Sequence, residues 1–229
     1  MIKKDFFIHG ILSLCLVFAV SLAFSYKIPW LLTSLIIVTI FLLIFVSEFE
    51  KQKVDTRILT LLGIITATAV VSRQIMHAMG EASPVFFLVI IAGYVFGPLF
   101  GFMIGSLTMF ISNFSLGHGP WTPFQMLGLG LGGLFAGLLP RSEHIPNKVV
   151  LALYGFVIGY VYGAINNLFY WLAFTAEHSI ETFIAVSGAS FALDTSRAIF
   201  TALLLFFLTD PIEKIFLRYK KRFEPSSRD

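Results

Sequence analysis

The chain has 229 residues, of which 57% are hydrophobic and only 13% charged, against about 25% charged in a soluble domain. With a mean hydropathy of +0.88, this composition excludes a water-soluble enzyme and predicts an all-α, polytopic membrane protein. The pI of 9.0 would admit a nucleic-acid partner, but the basic residues flank apolar runs, so membrane lipid is the expected surroundings and no nucleic acid is expected.

A spanning helix needs about 20 mainly apolar residues. Eight candidate segments follow in chain order: Phe6–Phe24, Trp30–Val46, Ile58–Met79, Val85–Phe96, Leu99–Leu116, Phe124–Leu139, Val149–Phe174 and Phe183–Leu208. The first has a basic start that resembles a signal peptide. Its apolar run is too long for one and a second run follows at once, so a retained helix is expected. Cys15 lies inside that run, reads as a small buried apolar residue and has no partner for a disulfide. The fourth segment is too short to cross upright. It meets the fifth at Gly97-Pro98, where a tight turn between two helices is expected.

If the chain starts in the cytoplasm and every segment crosses, thirteen of the sixteen Lys and Arg residues fall inside. Only Lys27 and Arg73 fall outside, and Arg197 lies within the last segment. The reverse orientation would invert this bias, so both termini are expected in the cytoplasm. The charged stretch 47–57 marks the strongest boundary. It divides the chain into a transmembrane hairpin (1–50), a linker (51–57), a six-helix core (58–210) and a basic juxtamembrane tail (211–229). The tail reads as a topology anchor attracted to anionic lipid or as a contact for a cytoplasmic partner.

Small residues recur every four positions in the core: Gly93, Gly97, Gly101 and Gly105; Gly128 and Gly132; Gly133 and Gly137; Gly155, Gly159 and Gly163. Such stripes let helix backbones approach closely in lipid, so internal packing is expected of most. Gly63 and Ala67, which open the core near its cytoplasmic side, are the best candidate for an interface with another subunit.

Polar residues gather toward the opposite side. Arg73, Gln74, His77 and Glu81 follow the third segment, with Arg73, His77 and Glu81 on one helical face. Asn113, His118, Trp121, Thr122 and Gln125 bracket the loop before the sixth, where Thr122 is a candidate helix cap and Pro123 suits the first turn. In the seventh, Tyr162, Asn166 and Tyr170 are four apart, and Asn167 and Trp171 form the adjoining stripe. In the eighth, Asp194 and Arg197 can pair at i, i+3. Buried amides and charges in hydrocarbon need partners, which either neighbouring helices or a bound ligand can supply. Arg73, Gln74, His77, Asn113, His118, Trp121, Gln125, Asn166, Tyr170, Asp194 and Arg197 are accordingly the candidate substrate-binding residues. No phosphate loop, metal-ligand spacing or activated nucleophile is present, so no catalytic residue, metal or cofactor is expected.

Residues 93–139, with GHGPWTPFQM at their centre, resemble the central region of the substrate-binding S components of energy-coupling factor (ECF) vitamin transporters. The stretch GASFALDTSRAIFTALLLFFLTDPIEKIFLR resembles their last helix and basic end, and the likeness spans residues 58–222. It implies a bacterial multi-pass membrane subunit, not an enzyme, that captures a vitamin from outside. Delivery inward would then need a transmembrane coupling subunit and two cytoplasmic ATPase subunits, with Gly63 and Ala67 facing the coupling subunit. Thr66 and Thr68 depart from the alanine pattern usual there, and the N-terminal hairpin is additional to the usual six helices. Cobalamin or a corrinoid precursor is the favoured substrate, with riboflavin, thiamine or its pyrimidine precursor, and queuosine precursors as alternatives. From the residues alone, two other readings stay open. One is a stand-alone secondary transporter or channel, disfavoured by the lack of a polar path through the inner half. The other is a membrane enzyme or assembly factor built on Asp194, Arg197 and His118.

Overall fold

The computed structural model describes Thr39 and residues 56–76, 82–140 and 147–223. The expected N-terminal hairpin apart from Thr39, linker residues 51–55 and the candidate residues His77 and Glu81 lie outside them. The described residues form six helices and no strand: α1 (Thr56–Met76), α2 (Val85–Phe96), α3 (Pro98–Leu116), α4 (Thr122–Ala136), α5 (Asn147–Phe174) and α6 (Ile180–Phe223).

Among the described residues, α1, α3, α5 and α6 are long and apolar enough to cross a bilayer. α2 has only 12 residues, about 18 Å at 1.5 Å per residue, well short of a hydrocarbon core about 30 Å thick. It is apolar on every side because it is enclosed by protein. It touches all five other helices, and every residue from Val89 to Val95 is buried. The outer helices pack as two intimate pairs, α3 with α4 and α5 with α6, and α1 lies against α3.

All six helices run between the same two ends of the bundle. The loop end holds the α3–α4 loop and the α5–α6 connection. The turn end holds the α2–α3 turn, the C-terminus of α4, the start of α5 and the C-terminal part of α6. The α2–α3 turn has the expected form. Gly97 adopts φ 107°, a left-handed conformation that favours glycine, and its N–H closes α2 on the Gly93 carbonyl at 2.8 Å. Pro98 then opens α3, where a missing N–H costs nothing.

Near that end the helices meet backbone to backbone. A Cβ built on Gly93 or Gly101 would lie 2.1 Å or 2.3 Å from the Gly133 carbonyl oxygen, and one on Gly137 would lie 2.3 Å from the Pro98 nitrogen. Two of the predicted stripes, Gly93–Gly105 and Gly133–Gly137, therefore converge on one contact among α2, α3 and α4. The Gly155–Gly159–Gly163 stripe does the same for α5 and α6: a Cβ on Gly159 would lie 2.6 Å from the Ala198 Cα, and one on Gly163 would lie 2.3 Å from Asp194 Oδ1.

The last helix departs from its expected end at Leu208. It continues through Pro211 as far as Phe223, so the first part of the basic tail is helical. Proline at 211 removes the bond to the Phe207 carbonyl and crowds that carbonyl with its ring. Tertiary contacts hold the extension. Lys148 pairs with Asp210 at 3.0 Å, Phe216 packs on Phe96 with ring centroids 5.4 Å apart, and Lys220 Nζ donates to the Val95 carbonyl at 2.8 Å.

Candidate functional site

Asn113, on the last turn of α3, is the centre of the loop end. It is 2% exposed, and three bonds use its amide. Arg73 Nη1, from α1, donates to Oδ1 at 2.8 Å. Because arginine can only donate, this fixes which amide atom faces it. Nδ2 then donates to Gln125 Oε1 at 2.8 Å and to Thr122 Oγ1 at 3.1 Å, both on α4. Arg73 also donates to Ser112 Oγ, and Gln74 beside it donates to Ser115 Oγ at 2.7 Å. One asparagine thus ties three helices together at the loop end.

Thr122 does not cap α4 in the expected way. It is the first helical residue, and its hydroxyl accepts the Gly119 N–H at 3.2 Å, which folds the Gly117–Trp121 loop back onto the helix. Having accepted from Gly119 and Asn113, Thr122 Oγ1 has its own proton left for His118 Nδ1, 3.4 Å away. That arrangement suits a neutral imidazole. The His118 ring lies against Phe114 and Phe110, with centroids 4.6 Å and 5.4 Å away. Though largely exposed, its pKa is lowered below the ordinary 6.5 by desolvation on that flank. The Trp121 indole covers Gly119, where a Cβ would lie 2.4 Å from the ring.

The second polar group lies between α5 and α6. Arg197 Nη1 donates to Asp194 Oδ1 at 2.6 Å and to the Gly159 carbonyl at 3.2 Å. Asp194 Oδ2 accepts from Ser190 Oγ at 2.8 Å, and Ser190 Oγ accepts from Asn167 Nδ2 at 2.7 Å. The Arg197 guanidinium also sits 4.9 Å from the Tyr162 ring centroid, within cation–π range. Asp194 and Arg197 are 6% and 5% exposed. This is a closed chain of partners that clasps two helices in hydrocarbon.

An aromatic layer separates the two groups. Phe86 meets Tyr162 edge-on at 5.0 Å, Phe124 meets Phe169 at 4.8 Å, and the Tyr162 hydroxyl points at Met109 Sδ, 3.8 Å away. The structure therefore brings Arg73, Gln74, Asn113, His118, Trp121 and Gln125 to one end and keeps Asp194 and Arg197 apart from them. Asn166 and Tyr170 join neither group. Asn166 Nδ2 bonds its own helix at the Tyr162 carbonyl, 2.8 Å away, and Tyr170 is 45% exposed beside Phe169 and Phe174. Ser112, Ser115 and Ser190 complete the networks. A serine on an apolar helix gives no sequence signal beyond its neighbour, Asn113 in the case of Ser112.

Residues 57–217 match the family described as ECF transporter, substrate-specific component. The chain belongs to this family. A UPF0397 protein of Vibrio atlanticus (strain LGP32) is 31% identical over 107 residues, covering 41% of this chain and 58% of the relative's length. No solved structure matches the chain. In this S component, the other predicted contact surface is an open apolar groove between α1 and α3, lined by Leu62, Gly63, Thr66, Ala67, Val70, Val71, Leu107 and Ile111. Gly63 faces open space there, whereas Gly93, Gly101, Gly133 and Gly159 lie against neighbouring backbone, so the small size of Gly63 serves no contact among the described residues.

Proposed function

We propose that this S component is the substrate-capturing membrane subunit of an ECF-type importer. It would bind a vitamin or related micronutrient at the loop end and deliver it inward with a transmembrane coupling subunit and two cytoplasmic ATPases. The observation that carries this reading is the Arg73–Asn113–Gln125 network. It places hydrogen-bonding side chains, flanked by Trp121 and by His118 with its phenylalanine neighbours, at one end of the bundle. Concave sites with aromatic walls and a few convergent polar groups suit small ligands. The exposed members, Gln74 and His118, are the first groups a ligand meets, while Asn113 holds the frame. The Lys and Arg bias supports an orientation with this end outside and both termini in the cytoplasm. The groove at Gly63 and Ala67 is the proposed seat of the coupling subunit. The resemblance puts cobalamin or a corrinoid precursor first among substrates.

The test is to purify the chain mildly in detergent, identify co-purifying small molecules by mass spectrometry, and measure thermal shifts across a vitamin panel that includes cobalamin and its precursors. One compound should co-purify and stabilise the chain, and Arg73→Gln should weaken that stabilisation at least tenfold in ligand concentration. An absence of ligand and of any shift, or uptake by the chain alone in ion-gradient liposomes, would overturn the reading.

A further inference from the structure

The exposed face of α6 changes character abruptly at the turn end. Phe207 and Leu208 are 68% and 40% exposed, as expected of side chains in hydrocarbon. Seven residues further on, two helical turns away and within about 20° on the same face, stand Lys214 and Ile215, then Arg218 and Tyr219, then Lys221. Lys214, Arg218 and Lys221 are all exposed, and Ile215 and Tyr219 are about as open, at 45% and 43%.

The charges of the extension are sorted by face. Phe216, Leu217 and Lys220 turn inward, and Lys220 is occupied with the Val95 carbonyl. The two acids of this stretch are also engaged: Asp210 pairs with Lys148, and the nearly buried Glu213 accepts from Asn147 Nδ2 at 3.4 Å. Lys214, Arg218 and Lys221 pair with no carboxylate among the described residues. The result is a row of three cations at i, i+4 and i+7, interleaved with an aliphatic and a phenolic side chain. It is held at a fixed level by contacts to the α2–α3 turn.

We propose that this row is a docking surface for the headgroups of anionic membrane lipids. The continuity of the stripe argues for lipid. The face that is apolar at Phe207 and Leu208 becomes cationic at the level where the bundle's apolar helices end, which is where headgroups replace acyl chains. Ile215 and Tyr219 match the mixed polarity of that layer, and an anionic leaflet attracts juxtamembrane cations strongly.

The test reconstitutes the full chain in nanodiscs of phosphatidylcholine, with or without phosphatidylglycerol, and reads thermal stability and the lipids retained in native mass spectrometry. Phosphatidylglycerol should raise the melting temperature and be retained selectively, and high salt should abolish both effects. The triple variant Lys214→Gln, Arg218→Gln, Lys221→Gln should lose selectivity by roughly 100-fold, about fivefold for each cation near a charged surface. Lys220→Gln should lower stability without changing lipid preference. If the triple variant is poorly folded, the salt titration of the unaltered chain and the single variant Arg218→Gln decide. Equal retention of both lipids by the unaltered chain overturns the proposal. So does unchanged selectivity in the triple variant, or unchanged selectivity accompanied by loss of a cytoplasmic protein partner.

Discussion

The α3–α4 pair meets its neighbours by opposite means at its two ends. Toward the turn end, Gly93, Gly101 and Gly133 bring backbones together with no side chain between them. At the loop end, Arg73, Asn113, Thr122 and Gln125 hold α1, α3 and α4 through hydrogen bonds. The difference concerns what can be exchanged. Close backbone contact has no substitute partner, so opening it forfeits the packing outright. Side-chain hydrogen bonds can be traded for those of a ligand at small net cost. If a ligand binds at the loop end as proposed, rearrangement is expected there, while the turn end keeps its width.

The strongest way to break this contrast is Gly133→Ala. The new methyl would lie 2.3 Å from the Gly101 carbonyl oxygen and 2.8 Å from Val89 Cγ1. Overpacking usually costs about 1–3 kcal/mol and more where backbone must move. We expect no monodisperse protein by size-exclusion chromatography. Next comes the ion pair. Asp194→Ala leaves Arg197 buried without its carboxylate and should cost about 3–5 kcal/mol, whereas Asp194→Leu combined with Arg197→Met should recover much of the loss. Melting temperatures of the two variants check this, and recovery of ligand binding in the double variant would confirm the pair as a helix clasp.

Asn113→Ala removes the hub of the loop end and should cost about 1–3 kcal/mol, leaving a folded chain with impaired uptake. If its melting behaviour is as damaged as that of Gly133→Ala, the two ends are not different in kind. The His118 prediction is smaller still. Its folded pKa lies below 6.5 because the neutral ring is favoured against Phe110 and Phe114. The unfolded loop binds more protons between the two values, so this contribution to stability is complete above pH 6.5 and is lost as pH falls. Melting temperature should decline modestly from pH 7.5 to pH 5.5, and His118→Gln should flatten that dependence. Gln74→Ala, at an exposed bond, should change stability by less than about 0.5 kcal/mol.

The long helices and the α2–α3 turn are legible in the sequence because hydropathy and Gly97-Pro98 act locally. The glycine stripes announce close packing, and their spacing separates the Gly63–Ala67 groove from the rest only by position. What the sequence withholds is partnership. Nothing local distinguishes Asn166, which bonds its own helix, from Asn167, which reaches Ser190 across to α6. Nor does periodicity reveal that Asn113 meets an arginine 40 residues away. The extension of α6 is hidden by Pro211 and by the loss of hydrophobicity, both of which ordinarily end a span. The contacts of Phe216 and Lys220 outweigh them.

The brevity of α2 has a consequence for biosynthesis. Its 12 residues cannot partition into the bilayer as an independent unit, since insertion machinery recognises about 20 apolar residues. α2 must enter together with α3 as a hairpin and stay poorly sheltered until α4, α5 and α6 emerge from the ribosome and surround it. A nascent chain halted before α4 therefore holds the most hydrophobic of the described helices with two of its five described helical neighbours, and that is the stage at which quality-control proteases have most to recognise.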